Sequence, residues 1–215
     1  MDAALTVILG KRPSGHWRSY DYCAVDVETT GLDLRNDEVI SIGAVSIHDG
    51  RFKGDGNLYA EITPAQSPSP ASIAIHGLRD IDLSKARSPE TVIPELISYM
   101  SGKYLIAHAS WVEKAFLAHR LSKYGQKYPK EVIDTAALAR YVGFAETDSD
   151  HEPSLEFLAR KLNLPVYTPH HALGDAMTTA AVFVALSSRI EQKQLAESGD
   201  TLSLQQLLRI SKSNS

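Results

Sequence analysis

Residues 21–31, Asp-Tyr-Cys-Ala-Val-Asp-Val-Glu-Thr-Thr-Gly, constrain this chain more than any other stretch. Tyr22 to Val27 is rich in β-formers and precedes Gly31, which predicts a buried strand ending near Thr29. Side chains alternate between the two faces of a strand, so Asp26 and Glu28, two apart, point the same way. Two carboxylates side by side repel, and one must take up a proton unless a cation lies between them. An oxygen-ligand site of this kind suits Mg²⁺ or Mn²⁺. The alternative from spacing alone is a strand that ends in two solvated acids.

The downstream pattern predicts what surrounds that strand. Glu38 to His48 alternates as a second strand, Asp49-Gly50 is a hairpin turn, and Asn57 to Ile62 is a third strand. A short helical piece reaches Ile75-His76-Gly77-Leu78. Ser88 and Pro89 supply an N-cap and a first helical residue for a helix to about Met100. Lys103–Ala107 is a short buried strand, Trp111–Tyr124 a helix, and Glu131–Ile133 a strand ending at Asp134. Helices over Thr135–Val142, Pro153–Leu162 and Leu173–Ile190 follow, and Leu202–Ile210 is an apolar helical patch. The fold class is therefore α/β, a five-stranded mixed sheet flanked by helices. In open sheets of this class ligands sit at the carboxyl ends of the strands, where Asp26 and Glu28 lie. Three segments are expected: an N-terminal extension over 1–20, one domain over 21–190, and a C-terminal helix and tail over 191–215.

Two further acids fall near the same end. Glu113 lies in the first turn of the helix after the fourth strand. Asp175 sits in the opening turns of the long last helix, on the face of Ala172, Thr179, Val182 and Leu186, just after His170. A carboxylate on that core-facing side is costly unless it is paired or bound to metal. The stretch from Lys114 to Lys130 holds Lys114, Arg120, Lys123, Lys127 and Lys130 with Tyr124 and Tyr128 interleaved and no acid. That mix suits the phosphates and bases of a single strand, and equally a solvated helix face. The net charge of −4 gives no global sign of nucleic-acid binding, though basic residues need only be local. The one cysteine, Cys23, reads as a core residue, so nothing indicates an oxidising compartment. With no apolar run near 20 residues and no ordered signal segment, a soluble cytoplasmic protein without membrane contact is expected.

Five stretches, in this order, resemble the DEDDh 3′–5′ exonucleases. They are Ala24-Val25-Asp26-Val27-Glu28-Thr29-Thr30-Gly31-Leu32, Ile75-His76-Gly77-Leu78, Leu105-Ile106-Ala107-His108, Ile133-Asp134-Thr135, and His170-His171-Ala172-Leu173-Gly174-Asp175-Ala176. The resemblance covers roughly residues 20–190. It implies a ribonuclease H-like fold and two divalent cations, Mg²⁺ or Mn²⁺, held by Asp26, Glu28, Asp175 and a fourth acid. His170, five residues before Asp175, matches the family's general base, with His171 as its neighbouring rival. Thr29, Thr30, Gly31, Leu32 and His76 match residues that face the terminal nucleotide.

The second motif departs from the family pattern. The usual Asn is Ala109, and the third Asp is Glu113, which could reach a metal or act through a water. Ser110 and Glu113 also read as a capping box for their helix. The implied activity removes nucleoside monophosphates from a nucleic-acid 3′ end, with single-stranded DNA expected first and RNA second. A polymerase or another replication or repair protein is an expected partner. A non-cleaving module that holds a 3′ end or a polymerase is the alternative. A phosphatase with a strand-end Asp nucleophile would leave His170 and Asp175 without a role.

Overall fold

The computed structural model describes residues 14–144 and 152–212. Six strands form one mixed sheet among the described residues: β1 (Tyr22–Thr29), β2 (Val39–His48), β3 (Arg51–Phe52), β4 (Leu58–Glu61), β5 (Tyr104–Ala107) and β6 (Val132–Asp134). Their order is β3-β2-β1-β5-β6, with β4 also on β2. The β1–β2 pair is antiparallel, whereas β5 and β6 join parallel to β1 and to each other. The sheet therefore has one more strand than expected. The addition is the two-residue β3 that Asp49-Gly50 turns back onto β2, too short to show a period.

The helices are α1 (Pro70–His76), α2 (Asp80–Leu83), α3 (Pro89–Met100), α4 (Trp111–Ser122), α5 (Thr135–Tyr141), α6 (Leu155–Lys161), α7 (Ala172–Ser198) and α8 (Leu204–Lys212). They cover both faces of the sheet, and β1 shows how. Cys23, Val25 and Val27 join the core under α3 and α4, with Leu96, Phe116 and Leu117. Tyr22 and Ala24 join the opposite core, with Phe183 and Leu186 of α7 and Leu204 and Leu207 of α8. Asp26 and Glu28 continue the Tyr22–Ala24 parity, so they leave the strand on the α7 side.

The expected boundary at 190/191 falls inside α7, which continues to Ser198 and stops where Gly199 takes a left-handed φ of 77°. Residues ahead of β1 pack onto the sheet as well. Trp17 is fully buried, its backbone N–H donates to the Leu202 carbonyl at 3.0 Å, and the Leu204 N–H donates to the Gly15 carbonyl at 3.1 Å. The segment over 15–20 and the approach to α8 thus hold each other across one core. No described helix is long and apolar enough to cross a membrane.

Candidate active site

Asp26 sits directly across the β1–β2 ladder from Gly43. A Cβ at Gly43 would overlap the backbone of Ala172, the first residue of α7. The missing side chain lets the start of α7 lie against the sheet beside Asp26, and Asp175 follows one turn later. Carboxylate oxygens of Asp26, Glu28 and Asp175 consequently lie within 4.8 Å of one another. The three acids are brought together as the sequence predicts.

Glu113 stands outside that trio but acts on it. It is 3% exposed, and its Oε2 has no hydrogen-bond partner. The predicted capping box is absent: Ser110 makes no side-chain cap, and its N–H donates instead to Asp134 Oδ2 at 3.0 Å. The same carboxylate accepts from Ala109 N at 3.3 Å and Ala136 N at 2.8 Å. Ala109 turns through a φ of 53° where its own N–H and that of Ser110 meet the Asp134 carboxylate, a conformation that Asn tolerates far better than Ala. Asp134 therefore anchors the entry to α4 and leaves Glu113 free to point inward.

The four acids share one electrostatic problem. Burial, then the charges of Glu113, Asp175 and Glu28, hold the Asp26 carboxyl well above the usual range. Burial raises Glu28 to about 7, with the charge of Asp175 adding to it. Burial likewise lifts Glu113 to about 8, opposed by its own backbone N–H and helped by the charges of Asp134 and Glu28. Asp175 rises to about 6 through burial, opposed by the His170 N–H and imidazole beside it. Four acids so enclosed cannot all ionise without cations among them. Hard, all-oxygen donors suit Mg²⁺ or Mn²⁺, and the unpartnered Glu113 oxygen is a further donor of that kind.

The two histidines ahead of Asp175 have different surroundings. His171 caps α7, its Nδ1 accepting from Gly174 N at 3.4 Å, and its ring stacks on Tyr59 at 4.4 Å. His170 is exposed, has a φ of 57°, and donates its backbone N–H to Asp175 Oδ2 at 2.9 Å. The structural duty falls to His171 and leaves the His170 ring beside the acids.

His76 accepts the Leu78 N–H on Nδ1 at 3.1 Å, so Nε2 carries the proton that it donates to the Thr29 carbonyl at 3.2 Å. Burial lowers its basicity, and His170 is near enough to lower it further. Both threonine hydroxyls of the following loop are engaged: Thr29 Oγ1 donates to the Gly31 carbonyl and Thr30 Oγ1 to Asp37 Oδ1, each at 2.7 Å. A Cβ at Gly31 would overlap the Asp37 carboxylate. The loop is thus held by side-chain hydrogen bonds and leaves Leu32 71% exposed.

The expected basic and aromatic strip is rearranged. Arg120 pairs with Glu38 at 2.5 Å, Tyr124 donates to the Pro89 carbonyl at 3.5 Å, and both Tyr124 and Tyr128 pack against the core. Their rings turn inward because α4 needs apolar cover at its end, which leaves Lys114, Lys123, Lys127 and Lys130 exposed. Sequence reasoning gave no role to Gly43 or Asp134. A glycine within a strand pattern marks a close approach and was the available sign for Gly43.

Comparison with known proteins settles the family. The exonuclease family model matches residues 23–183. This chain belongs to the exonuclease family. It is a DEDDh-type 3′–5′ exonuclease domain on a ribonuclease H-like fold. It is 34% identical over 164 residues to a PolC-type DNA polymerase III of Thermotoga petrophila, covering 76% of this chain but 12% of that protein. A DNA polymerase III subunit epsilon-like protein of Rhodobacter capsulatus is 30% identical, over 84% of this chain and 26% of its own length. The chain thus spans about an eighth to a quarter of these relatives. Among solved structures, exonuclease X in complex with 5′ overhanging duplex DNA superposes with a TM-score of 0.64 at 25% identity, over 88% of this chain and 99% of that one. The nuclease domain of 3′hExo bound to rAMP gives 0.65 at 18% identity, over 88% and 98%, a likeness of fold.

Proposed function

We propose that this exonuclease hydrolyses the phosphodiester bond at the 3′ end of single-stranded nucleic acid and releases nucleoside monophosphates. Asp26, Glu28, Asp175 and Glu113 would hold two divalent cations, Mg²⁺ or Mn²⁺. The observation that carries this is the enclosure of four raised-pKa acids in which Glu113 keeps an oxygen without a partner. When bound, the cations would supply positive charge to acidify a water and to stabilise the leaving 3′ oxygen. His170 takes the proton of the attacking water as its oxygen bonds to phosphorus. The bond from phosphorus to the 3′ oxygen of the preceding nucleotide then breaks, and that oxygen takes up a proton. Asp175 holds the His170 backbone, and His76 holds the Thr29 carbonyl, so the base and the strand end keep their spacing. Leu32 supplies an apolar face for the terminal base.

Single-stranded DNA is the first substrate and RNA the second, with a polymerase or another replication or repair protein as the partner. The non-cleaving alternative rested on Glu113, and the burial of that residue near the other acids supports the cleaving reading instead. The test is a pair of matched 5′-labelled DNA and RNA oligonucleotides incubated with increasing Mn²⁺. A ladder shortening from the 3′ end, absent with Asp26→Asn, is expected. No ladder on either strand, or wild-type turnover by Asp26→Asn, would remove the two-cation site.

A further inference from the structure

Helix α8 lies beyond residues 23–183, the part of the chain that the family model matches. Its apolar stripe is Leu204, Leu207 and Leu208, all buried, and the next position on that stripe is Ser211. A serine there is only 4% exposed, where a further leucine would extend the core. Its hydroxyl oxygen accepts the Asp134 N–H at 3.2 Å. Asp134 ends β6, the strand at one edge of the sheet, so this N–H would otherwise face outward from the ladder. Lys212 of the same helix also pairs with Glu131, the residue just ahead of β6, at 2.7 Å.

Asp134 in turn grips the entry to α4. Its carboxylate accepts from Ala109 N and Ser110 N, and the first turn of α4 delivers Glu113, with Oε2 unpartnered among the described residues and its charge felt by Asp26. One side of this residue is thus held by α8, and the other holds the segment that aims the fourth acid. We propose that Ser211, and through it α8, is a positioning residue for Glu113, acting through Asp134. The proposal rests on the reading of Glu113 as a cation ligand. It makes the C-terminal helix part of the catalytic unit instead of a docking segment for a partner.

The chain of contacts runs through backbone and so should shift geometry, not charge. Disturbing the shell that orients a ligand typically costs 10- to 100-fold in metal affinity. Ser211 acts one link further out, so a loss of about three- to tenfold in Mn²⁺ affinity is expected for Ser211→Ala, read by calorimetric titration of the full chain without substrate. Ser211→Thr keeps the hydroxyl and should restore most of it. A merely structural serine would lower the melting temperature and leave Mn²⁺ affinity alone.

The decisive comparison places Ser211→Ala in the wild-type and Glu113→Gln backgrounds. If Ser211 acts through Glu113, its effect on Mn²⁺ affinity disappears once Glu113→Gln is present. An equal loss in both backgrounds, or no loss in the wild type, overturns the proposal. Asp26→Asn and Glu113→Gln, titrated alongside, separate this from the underlying reading. Should both bind Mn²⁺ like the wild type, the cation site itself has failed, and the positioning role with it.

Discussion

Glu113 is a buried acid with an oxygen that no group among the described residues answers. Such a group is satisfied by a proton or by a cation, and the two outcomes separate under substitution. Gln keeps the shape and removes the charge, so Glu113→Gln should keep or raise the melting temperature of the metal-free protein. Its cleavage rate should fall on the order of a hundredfold, read from initial rates at limiting Mn²⁺. Glu113→Asp should retain substantial activity, since the resembling family uses Asp at this position. Near-normal cleavage by the Gln variant would return Glu113 to a purely structural part. The histidines divide in the same manner. His170→Ala should slow the chemical step about 10²- to 10⁴-fold with little change in melting temperature. His171→Ala removes a helix cap and a stacked ring, so its main effect should be a stability loss of about 1 kcal/mol. A larger rate loss from His171 than from His170 would reverse the assignment.

At the level of elements, the site depends on α7 reaching the sheet at Gly43. An added methyl there meets backbone, which cannot rotate away, so Gly43→Ala must displace the start of the helix. We expect a loss of about 1–3 kcal/mol in thermal melts, as for other overpacked sites. Activity should fall by more than tenfold, because an ångström of misplacement can cost on the order of a hundredfold. Unchanged kinetics in this variant would show that Asp175 does not depend on the close approach. Much of this arrangement is legible in the sequence. The alternation of β1 places Asp26 and Glu28 on one face, Ser88-Pro89 starts α3, and the face of Asp175 along α7 is the buried one. What escapes is long-range. The Ser110–Glu113 spacing is a sound local capping signal, but Asp134, from a strand distant in the chain, took the N–H groups first. Tyr124 and Tyr128 read as an exposed strip because nothing local says that they cover the core. Gly43 needed knowledge of what would lie above it.

Across the whole molecule the four acids leave a thermodynamic signature. Asp26, Glu28, Glu113 and Asp175 are all raised above their ordinary values, which start at 3.8 for Asp and 4.5 for Glu. Between about pH 4 and pH 8 these four acids therefore bind more protons in the folded chain than in the unfolded one, and their contribution to stability falls as pH rises. Melts in chelator should show the melting temperature dropping from pH 5 to pH 8. Added Mn²⁺ should raise it most at pH 8, where protons compete least with the cation for the carboxylates. A metal-free protein that gains stability over this range would contradict the arrangement of the acids. The two tryptophans report on opposite parts of the same body. Trp17 is fully enclosed ahead of β1, edge-on to Phe183 at 5.7 Å, whereas Trp111 opens α4 and is 59% exposed. Their emission should divide into a blue component shielded from soluble quenchers and a red one that they reach. The native chain thus carries its own two-colour optical record, one channel for the docking of its ends and one for events beside the helix that bears Glu113.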